Sequence, residues 1–285
     1  MSAVSSAGAT RRRRRLFHPA HLVLMPLALI FVVPFAWMAD TAIQTEREIN
    51  RFPPTVIPTE VTLGGFRKVL AHSDFPRWFT NSMVVSASVV VLTLVLSVLA
   101  AYAFARLRFR GANLVFTLIL GTLAIPFQLT MIPTFILFHD LGLIDNLGGL
   151  IVQPLVGSVS LGVFMLRQFF VALPRELEEA ARIDGCSTLG VIWRVLVPLA
   201  RPALVGLALL TLLSVWNDLS WPLISVQSSA AYTVQLGMTT FQGTRHTAWA
   251  AVMAGNFIIT APVMLAFLLG QKRFVQSLAS TAVKG

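Results

Sequence analysis

The chain has 285 residues, 56% of them hydrophobic and 12% charged, with a formal net charge of +10. A soluble domain carries roughly 25% charged residues, so the composition excludes an ordinary soluble protein and points to an integral membrane one. The positive charge does not form a nucleic-acid surface. Arg11 to Arg15 run together just before the first apolar stretch, and other cations flank later ones, which is the pattern that sets membrane topology.

A helix needs about 20 apolar residues to cross the ~30 Å hydrocarbon core. In chain order, spans are predicted at 22–39, 82–105, 112–138, 148–171, 202–226 and 248–270. These runs are continuously apolar, whereas barrel strands alternate over ~10 residues. The expected fold class is therefore all-α integral membrane, with six transmembrane helices. The first run is too long for a signal-peptide core and has no A-x-A-like site before Asp40, so it reads as a span. Pro26 and Pro34 inside it are tolerated in a membrane helix. With the N-terminus inside, 16 of the 22 Lys and Arg fall on the inner side and 6 on the outer; both termini and the 172–201 loop then face the cytoplasm. The domain reading is a basic tail over 1–21, a six-helix domain over 22–275 and a tail over 276–285. Its outer loop, 40–81, holds Pro53, Pro54, Pro58 and Pro76, and needs local structure or a partner to order it.

A polar island lies between the fourth and fifth runs: Glu178-Glu179-Ala180-Ala181-Arg182-Ile183-Asp184-Gly185. Pro174 suits a helix start. Glu176, Glu178 and Glu179 sit near the positive end of the helix dipole, and Gly185 suits the position after the helix end. The spacing predicts a helix over 175–184. A second amphipathic set, Ile192, Val195, Leu196 and Leu199, stops near Pro198 and Pro202. On a solvated surface helix, Glu178 and Arg182 would pair at i,i+4 for about 0.3–0.5 kcal/mol. That leaves small Ala180 and Ala181 beside Glu179 unexplained, and small residues let another surface approach. The lone Cys186 excludes a disulfide framework and reads as a packing residue.

Asp218 is the only carboxylate inside a predicted span. It lies about 16 residues into its helix, roughly 24 Å along at 1.5 Å per residue. Intramembrane ionisable groups face a cavity or the bundle interior. Asp218, with Trp216 and Asn217, is either a gate or solute-path group or a helix-end anchor on the outer side; Trp216 also suits an interfacial aromatic belt. No G-x-x-x-x-G-K-[ST] loop occurs, since Gly is never followed by Lys, so nucleotide phosphates are not cradled by that route. No H-E-x-x-H, paired-Cys or G-x-S-x-G pattern appears, and the five His are scattered. No enzyme site and no metal site are expected.

The island has the spacing E-A-A, three residues, G, nine residues, then Val195-Leu196-Val197-Pro198. This resembles the "EAA" loop of permease subunits in bacterial ABC importers. Glu179, Ala180, Ala181, Gly185 and Pro198 match, while Val195 and Val197 replace the usual Ile and Leu. Other stretches are similar to the carbohydrate-importer, maltose-permease-type (MalG-like) branch. They are Phe79-Thr80-Asn81-Ser82, Ile125-Pro126 to Ile132-Pro133 with the following Leu141-Gly142-Leu143-Ile144-Asp145-Asn146, and Trp216-Asn217-Asp218 with Trp221-Pro222-Leu223, where Leu219 stands in place of Phe. The ending Ala282-Val283-Lys284-Gly285 recurs there too, although Ser277 and Ser280-Thr281 stand where Gly is frequent. The resemblance covers about 81–285.

The resemblance implies the type I ABC importer permease fold, with the island as a cytoplasmic coupling helix between helices 4 and 5. In that family the helix seats in a cleft of an ATPase subunit. Glu179 would face a basic residue there, with Glu178, Ala180, Ala181, Arg182, Asp184, Gly185 and Pro198 completing the coupling surface. Lys284 and Gly285 would reach between the ATPase subunits. The implied activity is that of a non-catalytic permease subunit in the bacterial cytoplasmic membrane. It would move a sugar or sugar-like solute inward by alternating access, driven by ATP. ATP and Mg would be held by partner subunits. The implied partners are a second related permease subunit, two copies of an ABC ATPase, an extracytoplasmic solute-binding protein and membrane lipid, with no nucleic acid. An ion-gradient-driven secondary transporter is the alternative. It would place buried charges at the midplane of broken helices, and only Asp218 qualifies.

Overall fold

In this computed structural model the described residues are 21–53, 55, 57–243 and 247–282, with side chains described through residue 271. Arg11 to Arg15, Lys284 and Gly285 lie outside them. Helix α1 (His21–Ala42) is followed by the short α2 (Glu46–Ile49) and α3 (Gly64–Leu70), then α4 (Phe75–Arg106). Next come α5 (Ala112–Leu123), α6 (Phe127–Asp140) and α7 (Leu147–Ala172). The eight-residue α8 (Glu176–Ile183) precedes the helical stretch α9 (Thr188–Leu199), whose middle, Ile192–Leu196, is π-wound. Then follow α10 (Arg201–Trp216), α11 (Ser220–Ser225), α12 (Val234–Met238) and α13 (Trp249–Ala282).

Among the described residues, four helices are long and apolar enough to cross a membrane: α1, α4, α7 and the Trp249–Gln271 part of α13. The pairs α5–α6 and α9–α10 reach that length only together, bent by 103° and 81°. The predicted third and fifth runs are therefore not continuous rods. Pro126 has no amide hydrogen and disfavours helical backbone at Ile125; α5 stops at Leu123, and α6 restarts after Pro126 (φ −60°, ψ 133°). In the fifth run, α10 stops at Trp216 and α11 begins only at Ser220. Two other boundaries also move. Helix α4 starts at Phe75 rather than 82, with Pro76 in its first turn, where a missing N–H costs nothing. Helix α13 runs on to Ala282, through most of the stretch read as a C-terminal tail.

The 40–81 loop supplies its own order. Glu48 is buried, and its Oε1 accepts from the Thr59 N–H at 2.7 Å and from the hydroxyls of Thr59 and Thr55 at 2.9 and 3.2 Å. The Thr59 N–H is the main reason its carboxyl is held below the usual range. Glu46 accepts from Ala250 N–H, tying the loop to the first turn of α13.

The centre of the bundle is the α4–α7 crossing. Gly162 on α7 meets Ser97 on α4 so closely that a Cβ would overlap the serine hydroxyl, the small-residue contact by which helices approach in lipid. One buried cluster gathers Tyr102, Leu166, Phe170, Ile192, Leu196 and Leu207 at the end where α4 stops. Two more gather around Trp78 and Trp221 at the opposite end. There, polar latches hold the segments together. Asn81 donates to the carbonyls of Ala230 and Tyr232, and Asp74 accepts from Ser229 at 2.6 Å. Asp145, itself left-handed at φ 58°, accepts from the N–H groups of Ser228 and Gln227 and from the Ser228 hydroxyl. Those N–H groups, Ser228 first, pull its carboxyl below the ordinary range.

Replacing Gly162 with Val overpacks the α4–α7 crossing and is expected to destabilise the protein by about 1–3 kcal/mol; thermal denaturation in detergent reads the loss. The Asp145 latch carries a pH signature. A carboxylate whose pKa is lowered on folding stabilises above its unfolded value of ~3.9, and the contribution is lost as pH falls through the native value. The melting-temperature gap between wild type and Asp145→Asn should thus be widest near neutrality and shrink on acidification below about pH 4.

Candidate functional site

The loop between α7 and α10 is built on short-range signals. Leu173 leaves α7 with extended backbone (ψ 138°), and α8 follows with Glu176, Glu178 and Glu179 in its first turn. Asp184 closes the helix and Gly185 takes φ 84°. Cys186 N–H donates to the Ala181 carbonyl and Gly185 N–H to that of Arg182, the paired bonds of a Schellman stop. Ser187 then accepts from Gly190 N–H and starts α9.

Helical period sorts the island into two faces. Glu178 and Ala181 turn inward and are buried, while Arg182, itself exposed, reaches back to α4. Glu178 forms an ion pair with Arg106 at the end of α4, with the two side chains only 8% and 7% exposed. A second Arg106 nitrogen donates to the Leu173 carbonyl at 3.0 Å, and Arg182 donates to the Tyr102 hydroxyl at 3.2 Å. Ala181 packs into the cluster containing Tyr102 and Phe170. The expected i,i+4 pair of Glu178 with Arg182 does not form, because both residues find partners on α4. Small Ala181 serves the chain's own core, which corrects its reading as room for an approaching surface.

Glu179, Ala180, Ile183, Asp184 and Gly185 turn outward and are exposed, Ile183 by 87%. The Glu179 carboxylate has no hydrogen-bond or ion-pair partner among the described residues. Leu189, on the first turn of α9, is also exposed, and Pro198 is half-buried near its end. The outward surface is thus acidic with an apolar fringe. Arg106 and Tyr102 are the residues that sequence reasoning missed. Arg106 stood in view at the end of the second apolar run, but was counted only as a topology charge.

A second site opens at the α10–α11 break. Trp216 is buried and its Nε1–H donates to the Ile259 carbonyl, so it pins α10 to α13 rather than lining a path. Asn217 ends α10; its amide donates to Leu213 O and its oxygen accepts from Gln235. Asp218 Oδ1 accepts from Ser220 N–H at 3.0 Å and sits at the start of α11, so the carboxylate caps a helix. It also borders a cavity of about 740 Å³ between α5–α6, α7 and α10. Gln128, Gln153, Ser214 and Thr211 face the same space. The buried Thr211 hydroxyl has no partner among the described residues. Of the three residues grouped from sequence, Asp218 alone reaches the cavity.

Residues 93–280 match the family described as binding-protein-dependent transport system inner membrane component. The chain is 32% identical to the arabinooligosaccharides transport system permease protein AraQ of Halalkalibacterium halodurans, over 91% of this chain and 93% of that one. It is 29% identical to the diacetylchitobiose uptake system permease protein DasC of Streptomyces coelicolor, over 92% and 95%. Among solved structures, a chain of a bacterial ABC transporter involved in import of the acidic polysaccharide alginate superposes with a TM-score of 0.75 at 24% identity. The alignment covers 94% of this chain and all of that one.

Removing one partner of a buried ion pair strands the other charge, at a cost of about 3–5 kcal/mol, whereas replacing both by apolar groups is often near neutral. Arg106→Leu alone and Glu178→Leu alone are each expected to loosen α8. The double variant should recover part of that loss. Amide hydrogen exchange across 176–186 measures all three.

Proposed function

The chain belongs to the binding-protein-dependent transport system inner membrane component family, a family of ABC permeases, and on that premise we propose that it is the permease subunit of an ATP-driven importer for a sugar or sugar-like solute. The observation that carries the coupling role is the division of α8 into two faces. A helix this short has little stability of its own. Here it is riveted to α4 through Glu178, Ala181 and Arg182, which leaves Glu179 unpartnered on a rigid, outward acidic face. Such a face suits a basic cleft on an ATPase subunit.

When ATP closes a pair of such subunits, a helix fixed to α4 carries the movement into the bundle. Inward- and outward-open states then exchange populations through differential ATP affinity. Glu179, Ala180, Asp184 and Gly185 are the contact residues in this reading; Glu178, Ala181 and Arg182 transmit. The carbohydrate class follows from the likeness to AraQ and DasC. A second permease subunit, two ATPase copies and an extracytoplasmic binding protein complete the assembly.

The bent pair α5–α6 counts as one broken crossing and α9–α10 as another, giving six in all with the four long helices. One contact and one chain connection support this. Arg106, just before α5, bonds to Leu173 at one end of α7. Asp145, soon after α6, lies next to the other end. The 26 residues of α7 span about 39 Å at 1.5 Å each, so the intervening segment traverses the bundle rather than dipping back. With the charge bias of 16 to 6, α8 and both termini lie in the cytoplasm.

Glu179→Lys places a cation where the ATPase cleft expects an anion. In proteoliposomes holding the whole complex, solute binding outside should persist while ATP-dependent uptake falls by at least about tenfold, the factor that ~1.4 kcal/mol of lost coupling gives. Uptake at the wild-type rate would sink the assignment.

A further inference from the structure

We propose that the elbow between α4 and α5 binds the headgroup of an anionic glycerophospholipid. Only residues 107–111 separate Arg106, the last residue of α4, from Ala112, the first of α5. Both helices are apolar, so so short a connection stays at the membrane–water boundary. The elbow reads Leu107-Arg108-Phe109-Arg110-Gly111, and it borders a cavity of about 540 Å³. Arg108 and Arg110 line that cavity and are exposed. Unlike Arg106, neither has an ion-pair or hydrogen-bond partner among the described residues.

Two free guanidinium groups lining one open, shallow depression suit a phosphate, which arginine holds by parallel N–H donors. Basic pockets of this kind at the cytoplasmic end of membrane helices take anionic lipid headgroups. The apolar lining decides for a lipid over free phosphate. Leu107, Phe109 and Leu114 border the same cavity and are 50%, 43% and 65% exposed; acyl chains cover such surface and inorganic phosphate does not. The floor is built to stay in place. Phe104 packs against Phe109 and Phe116 with ring centroids 5.7 Å apart in each case. Arg167 lies over Phe116 at 4.2 Å and donates to the Phe104 carbonyl. The first-turn amides of Asn113 and Leu114, which a helix start leaves without intrahelical partners, add donors beside the two arginines. The elbow begins one residue after Arg106, so a bound lipid sits beside the anchor of α8.

The test uses the purified complex with its ATPase subunits, exchanged into phosphatidylglycerol or phosphatidylcholine and weighed by native mass spectrometry. Wild type is expected to retain phosphatidylglycerol over phosphatidylcholine. Arg108→Gln with Arg110→Gln should lower that retention by roughly thirtyfold, as loss of two surface cations at about 1 kcal/mol each predicts. Excess inorganic phosphate should not displace the lipid. Equal phosphatidylglycerol retention by both proteins overturns the proposal. So does displacement by inorganic phosphate, which would make the elbow a plain phosphate site. Loss of the ATPase subunits from the double variant also overturns it, because the patch would then be a protein contact.

Discussion

A buried ion pair between Arg106 and Glu178 joins two parts of the chain that lie 72 residues apart. Charges out of water are costly unless paired and hydrogen-bonded, so each residue constrains the other. Arg106 cannot turn away without stranding Glu178, and Arg106 also meets the Leu173 carbonyl, the first acceptor beyond α7. One guanidinium therefore gathers the end of α4, the end of α7 and the first turn of α8. The α8 loop is held by a side chain from another helix, not by its own propensity.

That anchor matters because of what it is attached to. Helices α4 and α7 form the stiff axis of the bundle, drawn close by Gly162 against Ser97. The far end of the axis is latched as well, through Asn81, Asp74 and Asp145. Compliance lies elsewhere, at the breaks before Pro126, between Leu199 and Arg201, and after Trp216. Sharp breaks at proline or at interrupted helical bonding are where helices bend. Two of these breaks border the 740 Å³ cavity, through Ile125 and Asp218. In the proposed role, force entering at α8 would meet rigid rods first and hinged segments next to the cavity.

Much of this was legible in the residues. Continuous apolar runs located the helices, and Pro174, the early glutamates and Gly185 located α8 to within a residue at each end. Pro126 broke a helix for the reason proline generally does. Other features depended on distant neighbours and left no local trace. Nothing near Glu178 announces Arg106, and the nearest cation, Arg182, suggested a pairing that the fold does not use. Trp216 looked like a partner of Asp218 because the two are close in sequence. Two residues in a helix point some 200° apart, however, and a helix end between them separates them further. Trp216 went to α13 and Asp218 to the cavity.

The island shows how one turn of helix divides labour among near-identical residues. Glu178 and Glu179 have the same chemistry and adjacent positions, yet a rotation of about 100° per residue sends one into the core and leaves the other facing outward. Ala180 and Ala181 divide in the same way. A pattern of glutamates and alanines therefore cannot be read as one surface. Half of it specifies where the helix sits, and half specifies what it touches. Swapping the duties of Glu178 and Glu179 would require turning α8 about its axis, which the Arg106 pair and the Arg182–Tyr102 bond together forbid. Rigidity at the inner face is what an acidic residue on the outer face needs if, as proposed, it is to pass on movement rather than remain a solvated charge.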